Sequence, residues 1–334
     1  MKEMLKSLRL ILAGCCMILS LMTRAQESGS VFNFLNLPVS AHSTTLGGRN
    51  ISLVEDDISL SMQNPALLTG VSDKTVGFSF MTYMQGTKNG AVAYGQKAGE
   101  RGMWGVNAQF VGYGSTTETL VTGEVIGSFS PLDMCLGGQY AYILSEYWAG
   151  GVTGKFIYSN YGSYSSWALA ADLGLNYYNQ DNEFSFSIVG RNLGGQVKAF
   201  GNHRDRLPMD LEMGISKLLG HAPIRVSLTM IDMTRWGSDN YFTTGETVKA
   251  SSIFFNHFVL GAEYLLSERF YVGLGYNFRR AYEMTAAGSS HAAGLSFGGG
   301  MNLKRLKVGV AYAKYYLGSP TFSLSVAYNF QKDE

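Results

Sequence analysis

The residues in this sequence that are most able to do chemistry are its five histidines, and their spacing favours no catalytic or metal site. They are His42, His203, His221, His257 and His291, and no two of them stand at a spacing such as H-x3-H that places two imidazoles on one metal. The sequence has no G-x-S-x-G elbow, no phosphate-binding loop and no C-x-x-C pair. We therefore predict no catalytic residue, no metal and no cofactor, with a hydrolase whose site forms only in three dimensions as the alternative.

Four charged residues stand inside segments that otherwise alternate between apolar and small or polar residues. They are Lys155, Asp172, Arg191 and Arg279, and all four fall on the side opposite the apolar residues. Buried charges require partners, so we predict that these four form ion pairs that fill a narrow interior. A lining for a transport path is the alternative.

A second group of charged residues lies in long segments without periodicity, beside aromatic residues. Such segments are expected at the surface, where they carry specificity. Basic and aromatic side chains displayed together suit a protein partner or an anionic saccharide, and a merely solvated loop is the alternative. The candidate partner-binding residues are Arg204 and Arg206 in segment 195–207, and Arg235, Trp236, Tyr241 and Phe242 in segment 234–255.

The elements that must position these residues are strands, because hydrophobicity alternates with a period of two from about residue 74 onward. In segment 165–178 the apolar face runs from Trp167 to Tyr177, while Asp172 and Asn176 lie on the other face. Ten residues of tilted strand span about 25 Å, which is the height of the apolar band of an outer-membrane barrel between its aromatic girdles.

We count fourteen such strands, an even number that is typical of bacterial barrels made from one chain. Six of the connections between them are short, and the longest ones, 114–131, 195–207, 234–255 and 281–290, all lie on the opposite side. The sequence therefore predicts an all-β fold, a 14-stranded antiparallel transmembrane β-barrel in the outer membrane. The strands are 76–84, 88–96, 103–113, 132–143, 147–159, 165–178, 183–194, 208–218, 223–233, 256–266, 269–280, 291–302, 306–316 and 321–330.

The composition agrees with a wall that has two opposite faces. The 334 residues include 26 basic and 25 acidic side chains, for a net charge of +1, and only 15% of residues are charged. The near-neutral balance argues against binding to nucleic acid, and the 43 aromatic residues argue against disorder. A mean hydropathy of +0.02 is too low for a bundle of membrane helices. Lipid on one face of each strand and a polar interior on the other account for both values.

The first 73 residues divide into two segments. Residues 1–25 carry a basic start and an apolar stretch too short to span a bilayer, which predicts a secretory signal peptide cleaved after Ala25. A lipoprotein box that ends at Cys15 is the alternative. Residues 26–73 lack a strand pattern and are predicted to plug the barrel from the periplasmic side, with Asn64 and Pro65 as contacts. An extension packed outside the barrel is the other possibility. Residues 74–334 form the barrel, and both termini are predicted to be periplasmic.

Four stretches of the sequence resemble the PorQ proteins of the type IX secretion system of Bacteroidetes. The stretches are Phe34–Ala41, Leu46–Gly48, Asn64–Leu67 and Tyr161–Ser166. The wider PorV/PorQ group is similar to the FadL fatty-acid transporters, which are 14-stranded barrels with an N-terminal plug.

The resemblance implies a non-enzymatic barrel subunit of the attachment complex at the cell surface. There it would anchor a PorZ-like surface protein beside the PorU sortase and PorV, and support attachment of secreted cargo to anionic lipopolysaccharide. A FadL-like outer-membrane transporter of hydrophobic small molecules is the alternative function.

Overall fold

The computed structural model describes residues 30–83, 86–241, 248–315 and 320–331. Apart from Ser30, these residues belong to one compact unit, Val31–Glu334. The predicted signal peptide 1–25 and the predicted partner-binding residue Phe242 lie outside the described residues. Across the described ranges, every helix is too short or too polar to span a bilayer.

Fourteen antiparallel strands close into a barrel, in which β1 pairs with both β2 and β16. The two remaining strands, β4 and β5, form a separate hairpin between β3 and β6. The strands are β1 (Thr75–Thr82), β2 (Lys88–Ala98), β3 (Gly102–Gly112), β4 (Thr116–Thr119), β5 (Val125–Phe129), β6 (Leu132–Ile143), β7 (Trp148–Tyr161), β8 (Tyr164–Asn179), β9 (Phe184–Lys198), β10 (Asp210–Leu218), β11 (Ile224–Met230), β12 (Phe258–Ser267), β13 (Phe270–Asn277), β14 (Leu295–Asn302), β15 (Leu306–Ala313) and β16 (Thr321–Asn329).

The predicted barrel of fourteen antiparallel strands is confirmed, and on β8 so is the assignment of faces. On β8, Leu169 and Leu173 point outward and are each 51% exposed, whereas Asp172 and Asn176 are buried in the lumen. On this strand the side that faces lipid is therefore apolar, and the side that faces the lumen carries polar residues, as the period of two predicts.

Three parts of the long connections fold in ways that the period of two does not predict. The predicted strand 269–280 ends at Asn277, because its side chain accepts the N–H of Arg280 and begins helix α3 (Phe278–Ala286). A 3-10 helix, His291–Gly294, delays the next strand until Leu295. Helix α2 (Ala250–Asn256) lies in the loop before β12.

The N-terminal segment 31–72 lies inside the barrel, which confirms the predicted plug and excludes an extension packed outside. Its elements are helix α1 (Ala41–Thr45) and the 3-10 helices Asn33–Asn36, Ile58–Met62 and Pro65–Gly70. Side chains on opposite walls bind it: Ser187 of β9 accepts from Asn64 (3.2 Å), and Ser325 of β16 accepts from the Ala41 N–H (2.8 Å).

Glycines make this close fit between plug and wall possible. Gly47 and Gly48 turn the plug with φ of 95° and 93°, a region that a side chain disfavours. On the wall, a Cβ at Gly174 would overlap the side chain of Asn64, and one at Gly275 would overlap the plug backbone at Gly47.

The two ends of the described chain lie at opposite ends of the barrel. The N–H of Val31 donates to the carbonyl of Arg206 (2.9 Å), in one of the long loops, whereas the N–H of Phe330 donates to Lys74 (3.1 Å) at the end with the short turns. We call these the long-loop end and the short-turn end. The plug thus runs from the long-loop end at Val31 to the short-turn end, where it joins β1. Entry of the plug from the periplasmic side stays a prediction. Placement of both termini in the periplasm stays a prediction.

Candidate functional site

The candidate functional site is the lumen, where the plug meets two different kinds of wall. Near the long-loop end, β3, β6, β7 and β8 carry an apolar patch on their inward faces. It is bordered by the buried polar residues Asp133, Ser159 and Ser166 towards the loops and by the pair of Lys155 and Asp172 towards the middle. The apolar wall consists of Val111, Cys135, Ile157 and Ala168, together with Leu207 of the following loop.

The first residues of the plug cover this apolar wall. Phe32, Phe34 and Leu35 are each buried to at least 95% and pack against it. Phe32 adopts a left-handed backbone conformation, with φ 59° and ψ 41°, which is strained for a bulky side chain. Hydrophobic burial thus holds a segment whose backbone is strained.

Of the predicted plug contacts, Asn64 and Pro65 anchor the middle of the plug. The Asn64 carboxamide accepts the Ala66 N–H (3.0 Å) and donates to the Ile51 carbonyl (2.8 Å), so it caps the 3-10 helix that Pro65 begins. A Cβ at Gly151 would overlap the backbone of Pro65, so this wall glycine makes room for the turn.

The predicted lumen charges Lys155 and Asp172 form an ion pair, with 2.5 Å between Nζ and Oδ2. Lys155 also donates to Asn192 (2.9 Å), whose N–H in turn donates to Asp172 (2.7 Å). Asn192 belongs to an irregularity in the β8–β9 register opposite Asp172, with a φ of 51°. Because of this bulge, Asn192 makes one hydrogen bond with each member of the buried pair.

The predicted lumen residue Arg191 joins the wall to the plug. Its guanidinium lies 3.2 Å from Glu212 of β10 and donates to the Leu35 carbonyl of the plug (3.4 Å). Arg49 of the plug lies 3.6 Å from the same Glu212 carboxylate. Glu212, which is fully buried, therefore serves both the wall and the plug.

The predicted location of Arg279 is wrong. The period of two placed it on the inward face of a strand, but it lies on helix α3, beyond the end of β13. There it pairs with Asp232 (2.6 Å) and Glu283 (2.9 Å), both outside the barrel strands. The ion pairing was foreseen and the location was wrong, because the Asn277 cap ends the strand two residues earlier.

Sequence reasoning missed a network of charged side chains between the plug and the wall. His42 of helix α1 contacts Glu263 of β12, and its Nδ1 lies 3.3 Å from Glu55 of the plug. Arg225 of β11 bridges the same two carboxylates, at 2.8 Å from Glu263. The His42 ring also stacks on Tyr271, with 4.2 Å between centroids.

The charge of His42 depends on these neighbours. Burial by itself lowers the pKa of this imidazole, but the charges of Glu263 and Glu55 and the hydrogen bond to Glu263 outweigh it and raise the pKa to about 9. His42 is therefore cationic at neutral pH, and the network holds two positive and two negative groups. The sequence did contain a signal that could have found such residues: Glu212, Arg225 and Glu263 stand at positions of the predicted strands that face the lumen.

The plug leaves small cavities in the lumen. One of about 220 Å³ is lined by His42, Tyr271 and Lys307. Another of about 20 Å³, beside Leu37, Gln109 and Lys155, has room for little more than one water molecule. Both cavities lie between the plug and the wall.

The predicted partner-binding residues lie at the long-loop end and differ in exposure. Arg204 and Arg206 are exposed, and Trp236 is 44% exposed while its ring lies tilted against His257, with 3.9 Å between centroids. Arg235 donates to the Met209 carbonyl (3.0 Å), which brings the two loops together.

Tyr241 differs from the other residues of this group because it is buried. It is only 6% exposed, because the guanidinium of Arg279 lies over its ring at 4.8 Å from the centroid. Burial raises the pKa of its phenol, in keeping with its removal from water. Tyr241 therefore packs the loop and does not offer a surface to a partner.

Within the described residues, no group of three or more histidine, cysteine or acidic side chains is placed to hold a metal ion. The free Cys135 is buried in the apolar wall.

Comparison with solved structures identifies the fold. The CymD monoaromatic hydrocarbon channel matches with a TM-score of 0.55 and 15% identity, over 90% of this chain and 99% of that chain. The toluene transporter TodX of Pseudomonas putida matches with a TM-score of 0.54 and 12% identity, over 87% and 98% of the two chains. A FadL homologue of Pseudomonas aeruginosa has a TM-score of 0.49 and 12% identity, over 88% of this chain and 98% of that one. The CymD and TodX structures therefore share the fold of this chain, in agreement with the predicted barrel.

Neither of two comparisons at the level of sequence gives a match. No model of a known protein family matches the chain. No curated protein matches it either.

Proposed function

We propose that this protein is an outer-membrane channel for hydrophobic small molecules. The observation that carries the proposal is the apolar patch of the wall at the long-loop end, which only the first residues of the plug cover. In this fold a polar solute gains nothing from Val111, Ile157 and Leu207, whereas an uncharged hydrocarbon gains free energy from each side chain that it covers. The solved structures of similar fold, described as a toluene transporter and a monoaromatic hydrocarbon channel, support the same class of solute.

In the proposed mechanism the solute takes the place of the first plug residues. Phe32, Phe34 and Leu35 occupy the apolar wall in the closed state. A hydrophobic solute that arrives from the long-loop end competes for the same wall, and the strained backbone at Phe32 lowers the cost of releasing the segment. The ion pair of Arg49 with Glu212 of the wall holds the deeper plug in place meanwhile.

The test is toluene entry into proteoliposomes that contain the purified barrel. We expect faster entry than into protein-free vesicles, and a further increase of about tenfold for Phe34→Ala, because weaker anchoring of the segment by about 1.4 kcal/mol or more favours displacement. Phe78→Ala is the matched control, since Phe78 is 57% exposed on the outer face of β1. Entry at the protein-free rate, with a barrel that is folded by its gel mobility, would refute the proposal.

A second candidate function is the anchoring of a surface protein, as the resemblance to the PorQ proteins implies. The supporting observation is the surface formed by Arg204, Arg206 and Trp236, which are exposed on adjoining loops. Its partner would be a PorZ-like protein within the PorU and PorV attachment complex, with lipopolysaccharide as the surrounding lipid.

This candidate predicts that Arg204→Ala, Arg206→Ala and Trp236→Ala together release a PorZ-like protein from outer membranes purified in mild detergent. Point substitutions are preferable to deletion of the loop, because Tyr241 in that loop packs under Arg279. Arg269→Ala, in the turn after β12 at the short-turn end, serves as the control. Unchanged retention of the surface protein in the triple variant would exclude these loops as its anchor.

A further inference from the structure

The hairpin of β4 and β5 stands apart from the barrel wall and from the lumen site. We propose that it is a docking arm for a partner protein, which pairs an extended basic segment with a free edge of the hairpin and covers its aliphatic tip. The arm lies in the loop between β3 and β6, at the long-loop end. It shares no residue with the surface of Arg204, Arg206 and Trp236 and does not depend on the proposed channel.

Both strands of the arm have a free edge. β4 and β5 pair with each other from Thr116↔Phe129 to Thr119↔Val125, and within the described residues neither pairs with a third strand. An edge strand presents unpaired N–H and C=O groups that accept another strand, and proteins usually block such edges with lysine or proline. Segment 114–130 contains neither residue.

The tip of the arm is apolar and ordered. Leu120, Val121, Val125 and Ile126 are 46%, 108%, 64% and 53% exposed. The turn is closed by hydrogen bonds from Leu120 N–H to the Glu124 carbonyl (2.8 Å) and from Gly123 N–H to the Leu120 carbonyl (2.9 Å). A hairpin of only two strands is marginally stable in water, and four adjoining exposed aliphatic side chains are typical of a contact surface.

The charge of the arm favours binding to a protein over binding to a membrane surface. Segment 113–131 has two carboxylates, Glu118 and Glu124, and no lysine, arginine or histidine. An anionic lipid surface repels these carboxylates, whereas basic side chains that flank an extended segment pair with them.

The root of the arm is fixed to the barrel, so its position is defined. The Tyr113 N–H donates to the Pro131 carbonyl (3.3 Å), which closes the loop, and the Tyr113 hydroxyl donates to Asp133 (2.5 Å). Tyr161 of β7 donates to the same carboxylate (2.9 Å). These bonds hold the base of the hairpin while both of its strands remain accessible.

The experiment places a photoreactive phenylalanine analogue at Thr122 in the full-length chain and irradiates intact cells. A second strain carries the analogue at Glu146, in the short turn before β7, as the positional control. The cross-linked segment is mapped by mass spectrometry and synthesised as a peptide, and its binding to the purified barrel in detergent is measured. Infrared spectroscopy with carbonyl-labelled peptide then reports whether its backbone joins a sheet.

We expect an adduct from position 122 alone that maps to an extended segment containing lysine or arginine. The peptide should bind at least tenfold more weakly to the Val121→Asp/Ile126→Asp variant, and within threefold of wild type to Thr122→Asp, which adds a charge at the same tip. Adducts with lipid alone or with a second copy of this chain would overturn the proposal. So would no adduct at position 122, peptide binding that both variants leave unchanged, or labelled carbonyls that stay outside a sheet.

Discussion

At the scale of single residues, a few buried charges join the plug to the barrel. Each links residues that are far apart in sequence: His42 to Glu263, Arg49 to Glu212, and Arg225 to Glu55. A buried charge that loses its partner is costly, so each pair makes the position of the plug specific.

The first prediction concerns His42 and pH. Its pKa of about 9 in the folded state lies above the unfolded value of 6.5, so the folded state binds the proton more tightly. This contribution is fully present below pH 6.5 and is lost as the pH rises through 9, with a maximum of about 3 kcal/mol. Urea unfolding between pH 6 and pH 10 measures it.

His42→Gln should remove this fall in stability, and His221→Gln, at an exposed turn, should retain it. The same pH dependence in His42→Gln as in wild type would show that other groups cause it.

The second prediction concerns the Lys155–Asp172 pair. Lys155→Met leaves the Asp172 carboxylate buried without its cation, and we expect a loss of about 3–5 kcal/mol in the free energy of unfolding. Lys155→Met combined with Asp172→Asn should recover most of that loss, because Asn retains an acceptor for the Asn192 N–H. Urea unfolding of the two single variants and the double variant tests the coupling, and additive losses would argue against it.

At the scale of elements, the plug is held by the shape of the wall as well as by charge. The wall is glycine-rich where the plug approaches most closely, and the plug turns at two glycines of positive φ. Within the described residues, the plug 31–72 occupies the space that the fourteen strands enclose.

The third prediction uses two strand glycines that face opposite sides. Gly174→Ala puts a methyl group against Asn64 and Pro65, so we expect about 1–3 kcal/mol of destabilisation and a plug that a protease reaches more readily. Gly154→Ala, on the neighbouring strand, meets open space on the outer face and should be neutral or slightly stabilising. Equal effects of the two substitutions would show that plug packing is not the cause.

At the scale of the whole molecule, the barrel has one end with long loops and one with short turns. In bacterial outer-membrane barrels the long loops are extracellular. The apolar wall, the arm and the exposed basic residues all lie at the long-loop end, so the orientation decides which compartment they meet.

The fourth prediction is that the long-loop end is accessible in intact cells. Thr122→Cys at the arm should react with a maleimide that does not cross membranes, whereas Glu146→Cys should react only after the outer membrane is permeabilised. The parent chain is the control, and its buried Cys135 should remain unlabelled. Labelling of Glu146→Cys alone in intact cells would reverse the orientation.

The sequence by itself determined the strand count, the two faces and the alternation of long and short connections. It could do so because lipid and lumen impose opposite polarities on successive residues of a strand, a constraint that is local and repeats fourteen times. The same constraint identified Lys155, Asp172 and Arg191 as lumen residues.

Only the tertiary structure decided which charges meet and where the plug lies. Parity assigns a residue to a face but not to a height in the barrel, and it carries no information about a partner such as Arg49 for Glu212, 163 residues away. It also fails where a side-chain cap ends a strand, as at Asn277 before Arg279, and in loops such as that of Tyr241. These outcomes depend on contacts between distant segments, which no local pattern records.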